Sequence, residues 1–158
     1  MLTRLTFVAL ASLVLLSTSV PARADTATRD MQDVRALFTQ FIGQQNLHNL
    51  SGVQALLWND PNLVWLTLSG PVFGMTAVSN HLQRLFSGVW NARPDYTNTH
   101  ITLRSATTAD VIAPMSVTAT VGGSPYTANA VVVTTCTKTK DGWRIAGVVP
   151  VAAAVKQF

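Results

Sequence analysis

Between residues 29 and 45, "RDMQDVRALFTQFIGQQ", the apolar positions Met31, Val34, Leu37, Phe38, Phe41 and Ile42 recur at helical spacing and fall on one stripe. Thr28 or Asp30 can cap this helix, and early aspartates suit the positive end of its dipole. A shorter helix follows a polar turn that contains His48. Asn49 is its N-cap, Val53, Leu56 and Leu57 are its buried face, and Pro61 is its limit. The period then changes. "NLVWLTL" (62–68) is β-branched and aromatic, a strand, and Gly70-Pro71 and Gly74 break the chain after it. Thr76 can cap a third helix with Val78, Leu82, Leu85 and Phe86 on its apolar face, ending near Gly88 to Trp90. From 97 to 152, four runs rich in Val, Thr and Ile are separated by "TTAD", "GGSP" and "KTKDG", which are hairpin signals. Pro114 inside one run marks a bulge or an edge.

Helix, helix, strand, helix and then a meander of antiparallel strands is an α+β order. Helices on the concave face of a strongly curved sheet leave a cone with an apolar interior, a natural place for a ligand. The N-terminus stands outside this order. Arg4, the apolar run "LTFVALASLVLL" (5–16) and Ala22-Arg23-Ala24 form the three parts of a secretory signal rather than a membrane span. The expected organisation is a signal peptide over 1–24 and one domain over 25–158, exported to the periplasm or beyond. No later apolar run is long enough to insert the cleaved chain stably into a membrane; "VVPVAAAV" is short and contains Pro150.

Composition narrows the chemistry. A single cysteine, Cys136, leaves an exported chain without an internal disulfide, so packing must hold it; Cys136 itself reads as a small buried hydrophobe. Loss of Arg4 and Arg23 with the signal leaves nine Lys and Arg against seven Asp, scattered without a basic cluster, so nucleic acid is not an expected partner. Glutamate is absent. No histidine pair has metal-ligand spacing and one cysteine cannot build a zinc site, so neither metal nor cofactor is expected. A G-x-S-x-G nucleophile motif is also missing.

The segment "FIGQQNLHNLSGVQALLWND", Gly74 ahead of the third helix, and "KDGWRIAGVV" as the last turn and strand resemble the nuclear transport factor 2-like superfamily, within it the SnoaL-like and ketosteroid-isomerase-like proteins. The resemblance covers nearly all of residues 25–158 and implies three helices on the concave face of a strongly curved, mostly antiparallel sheet. In the isomerase branch a pocket tyrosine lies on the first helix, a base aspartate on the first strand and a neutral acid on a later strand. Laid over this sequence without gaps, Phe41 falls at the tyrosine and Trp65 at the base, while Val132 and Thr135 compete for the later acid. No carboxylate occurs between 61 and 94 or between 111 and 140, the segments that would supply those acids. A positioned base contributes about 10²–10⁴-fold and an oxyanion donor about 10²–10³-fold, so an isomerase of the usual kind is excluded.

What remains is aromatic. If Trp65 faces inward, Leu63 and Thr67 share its side of the strand. Phe38, Phe41, Trp58, Phe73, Trp90 and Tyr126 are the further candidates for a cavity wall, and core filling explains any one of them as well. Among the histidines, His48 reads as solvated in its turn, His81 stands at the border of an apolar helix face, and His100 shares the outer face of its strand with Thr102 and Arg104. Asp60 serves a helix stop at Asn59-Asp60-Pro61. Three functions follow as expectations: an exported, non-catalytic binder of a small apolar or aromatic molecule; a lyase, isomerase or cyclase that uses His81 or His100; and a homodimeric interaction module that joins through the outer sheet face.

Overall fold

The computed structural model describes residues 21–67, 69–121 and 123–152. Three helices, α1 (Pro21–Asn46), α2 (Leu50–Leu56) and α3 (Gly74–Phe86), pack with seven strands: β1 (Val64–Thr67), β2 (Gly70–Phe73), β3 (Trp90–Pro94), β4 (His100–Leu103), β5 (Thr108–Val121), β6 (Ser124–Thr139) and β7 (Gly142–Ala152). The strands form one curved sheet in the order β2-β1-β7-β6-β5-β3, and β4 also pairs with β5. Every pairing is antiparallel except that of β1 with β7.

The expected helical stripe is the one that packs. Val34, Leu37, Phe38, Phe41 and Ile42 are buried, while Met31 at its N-terminal end is 39% exposed. The helix is longer than its stripe and runs over Pro21–Asn46 among the described residues. Neither expected cap acts as one. Thr28 is inside the helix, its hydroxyl donating to the Ala24 carbonyl, and Asp30 is buried against the sheet. The signal-peptide reading of 1–24 falls almost wholly on residues 1–20, outside the described residues; Pro21–Ala24 belong to α1. Asn49 caps α2 as expected, its side chain accepting from the Gly52 N–H. α3 starts at Gly74, two residues before Thr76, with no side-chain cap.

Alternation along the long strands sorts the sheet into two faces. Ala109, Val111, Ala113 and Met115 of β5 and Val132, Thr134 and Cys136 of β6 point to the helices and are buried. β3 is an edge strand, a liability unless its backbone groups are covered. Asn46 covers it: its Nδ2 donates to the Ala92 carbonyl and its Oδ1 accepts from the Ala92 N–H, both at 2.8 Å. Pro114 sits where β5 changes partner from β4 to β3, so its missing donor breaks no ladder there, and its carbonyl accepts from the Asp95 N–H.

Candidate functional site

β1 is held inward by its neighbours. Trp65 pairs with Val72 on one side and Val148 on the other, and it is 5% exposed on the concave face. The Phe41 ring from α1 lies 5.9 Å from it at 52°, and the His81 ring from α3 lies 5.7 Å away at 55°. Leu63 and Phe38 are buried in the same core. Residues paired across the sheet continue the Trp65 row through Val148 and Thr134 to Val111. Thr134 is fully buried, and its hydroxyl has no partner among the described residues. His81 is half-buried; burial, then the nearby positive charge of Arg84, pushes its pKa below the ordinary imidazole value, so the ring is neutral at pH 7. The Thr67 hydroxyl is engaged, donating to the Gly70 carbonyl at 2.7 Å in the β1–β2 turn.

A second aromatic row crosses the other end of the concave face. Trp90 of β3 and Tyr126 of β6 both pair with Ala119 of β5, so the two rings stand on the same face with a methyl group between them. Trp90 is half-buried, but its Nε1 is fully buried without an acceptor among the described residues; Tyr126 is 60% exposed. Small side chains, Ala92, Ala113, Ala128 and Ala130, carry this face toward the Trp65 row. His48 is exposed but not simply solvated, contrary to expectation. Its ring stacks on Phe86 at 5.3 Å and 2°, and its Nε2 donates to the Trp90 carbonyl at 3.0 Å. A positive φ of 52° aims it there, and a polar turn gives no sequence signal for that.

The remaining candidates lie elsewhere. Phe73 faces away from Val72 and is 59% exposed, so it does not line the concave face; the odd–even alternation of the unforeseen strand β2 puts it outside. His100 is exposed and paired with Ile112 on the outer face, which removes it from the concave site. Trp58 is half-buried and its backbone N–H donates to the Ile145 carbonyl, tying the α2–β1 connection to β7. Two hollows lie away from the Trp65 centre. One, about 410 Å³, is an open trough bordered by Arg93, Pro94, Asp95 and Pro114; the other, about 250 Å³, lies between α1 and the β6–β7 hairpin.

Carboxylates are equally remote. Asp110 is on the outer face, where it binds Arg104 at 2.8 Å and the Thr135 hydroxyl at 3.0 Å. Asp30, 6% exposed, accepts from Lys138 Nζ at 2.5 Å and Trp143 Nε1 at 3.1 Å, and the Lys138 bond holds its pKa below the ordinary value. Asp30 therefore clamps α1 to the last hairpin and is not a concave-site acid. Burial, with Asp110 nearby, pushes the Cys136 thiol up to about 12, so it is no nucleophile. Among the described residues no group of His, Cys and Asp is placed to hold a metal ion.

No family model and no curated protein matches the chain. Solved structures do. An NTF2-like protein with a cystatin-like fold from Novosphingobium aromaticivorans superposes with a TM-score of 0.69 at 12% identity, covering 91% of this chain and 95% of that one. A proposed dehydratase of the NTF2-like family from Streptomyces avermitilis gives 0.69 at 14%, covering 81% and 99%. A proposed scytalone dehydratase from Novosphingobium aromaticivorans gives 0.67 at 13%, covering 85% and 99%. At such identities the likeness speaks for architecture alone: this chain has the NTF2-like, cystatin-like fold.

Proposed function

We infer that the protein is an exported NTF2-like domain that binds a small, neutral apolar or aromatic molecule on the concave face and does not turn it over with a carboxylate pair. The supporting observation is the make-up of that face. It presents Phe41, Trp65, Trp90 and a floor of Ala and Val, while its uncharged polar groups are Thr134, Gln45 and neutral His81. A charged ligand would meet no counter-ion there, and burying an unpaired charge is prohibitive.

The test is titration with N-phenyl-1-naphthylamine, a neutral probe that fluoresces in apolar surroundings. Saturable emission at one probe per chain, weakened by Phe41→Ala at a concentration where that variant is folded, is expected. Absence of any uptake by the folded protein contradicts the reading.

One observation favours a second reading. His81 is neutral and stands against Trp65, and a neutral imidazole can relay a proton, so a lyase that works through this histidine is its chemistry; dehydratases are named among the structural neighbours. No carboxylate orients this ring among the described residues, which places binding first. A homodimer through the outer sheet face accompanies either reading. Leu66, Ile112, Val131, Val133, Val149 and Val151 share that face and leave an apolar patch without a helix over it.

A further inference from the structure

The smaller hollow is walled by α1 on one side and by the β6–β7 hairpin on the other. Asp33, Ala36, Leu37 and Gln40 stand at i, i+3, i+4 and i+7, so one face of α1 borders it. Leu37 and Trp143, 7% and 5% exposed, give it an apolar lining together with half-buried Leu56. Gly142, at φ 99° where the hairpin turns, leaves the opposite wall bare of a side chain beside Arg144.

Three charged side chains border this hollow. Lys138 is already matched, its Nζ bonded to Asp30 and 5.7 Å from the centre of the Trp143 ring. Arg144 is half-buried and steadied by its own backbone: Nη1 donates to the Trp143 carbonyl at 2.9 Å, which leaves most of the guanidinium donors uncommitted. Asp33 is exposed on the helix wall. Neither Arg144 nor Asp33 enters an ion pair among the described residues, whose pairs are Arg104–Asp110 and Lys138–Asp30. On a flat surface such charges need only water. Here two of opposite sign border one apolar-lined hollow from opposite walls and do not meet each other.

That arrangement selects among ligands. A neutral molecule would engage neither charge, and a singly charged one would engage one wall and leave the other idle. A zwitterion engages both, its carboxylate accepting from Arg144 and its ammonium donating to Asp33. Size sets the second limit. At about 250 Å³ the hollow is smaller than the roughly 300–1,000 Å³ that drug-sized ligands occupy.

We propose that the cleft between α1 and the β6–β7 hairpin is a second binding site, for a small apolar amino acid in its zwitterionic form, with the side chain laid against Leu37 and Trp143. It shares no residue with the concave face that carries the proposed function, so the two readings are independent.

Three probes separate the contributions: L-leucine, 4-methylpentanoate, which lacks its ammonium, and 3-methylbutylamine, which lacks its carboxylate. Equilibrium dialysis against residues 25–158 is expected to give one leucine per chain. Leucine should be held about tenfold more tightly than the amine and about threefold more tightly than the carboxylate, Asp33 being the more exposed partner. Arg144→Gln should bring leucine to the affinity of the amine, and Asp33→Asn to that of the carboxylate. Both changes lie outside the buried core, and the unfolding midpoint confirms that each variant is folded. N-phenyl-1-naphthylamine on the concave face should stay bound at saturating leucine. Leucine held no better than one of its analogues overturns the proposal, as does a leucine affinity that neither substitution moves. Displacement of the naphthylamine by leucine overturns it too, because both would then occupy one site. No uptake of any of the three probes at millimolar concentration overturns it and leaves concave binding intact.

Discussion

Trp65 presents an indole and no titratable group to the concave face, and its contacts explain why no proton transfer is possible through it. Its indole is packed between Phe41 and His81, and both strand neighbours on its face are valines. Such tilted ring pairs contribute about 0.5–1.5 kcal/mol beyond area burial, so the residue strengthens the core and offers no base. His81 carries a testable consequence of the same environment. Its folded pKa lies below its unfolded one because burial disfavours the charged ring. Its contribution is therefore complete above 6.5 and is lost as pH falls below that value through the folded pKa. Urea unfolding from pH 7 to 5 should show wild-type stability declining and His81→Leu declining less; parallel curves would mean that the ring is not buried. The inward set Phe38, Phe41, Leu63 and Trp65 was readable from period and alternation. Trp90's orphaned donor and His48's stacking were not, because they depend on where a turn and an unrecognised strand come together.

At the scale of elements, α1 is fixed at both ends by polar contacts, with an apolar stripe between. Asn46 and His48 bond its C-terminal end to β3, and Asp30 bonds its other half to the β6–β7 hairpin. Asp30→Asn keeps the shape and loses the charge. About 2 kcal/mol of stability should go with it, less than for a fully enclosed pair because the Lys138 side chain is 35% exposed. Since the folded pKa is lowered, the clamp is complete above 3.8 and weakens as pH falls further; the variant should lack that acid limb in denaturant titrations. An unchanged midpoint would show the clamp to be idle. The three helices, the four late strands and the first strand were legible because each repeats its period over several residues. β2 and β3 were not: "GPVF" contains two turn residues, and "WNARP" ends on proline and carries Asn91 and Arg93. Only tertiary pairing makes them strands.

The whole molecule has two faces of different character. Among the described residues the inner one is covered by helices and holds the Asp30–Lys138 pair at one end, and the outer one is a bare sheet with a valine-rich patch beside the Arg104–Asp110 pair. Light scattering of residues 25–158 should give twice the chain mass, and Val133→Lys, in the middle of the patch, should halve it without unfolding the protein. A wild-type monomer would remove the dimer. Fold class could be read from element order because α+β packing leaves few arrangements of these pieces. Ligand choice could not, since it depends on side chains from α1, α3, β1, β3 and β6 that are far apart in sequence.

The claim under all of this is that the concave face receives an uncharged molecule by contact alone. Native mass spectrometry of the protein released from its producing cells, followed by incubation with excess 2-acetylnaphthalene, measures that most directly. One intact neutral molecule per chain, unchanged in mass after prolonged incubation and displaced in competition, is the predicted result. A chain that stays bare at every concentration, or a ketone recovered as a different compound, would contradict the account.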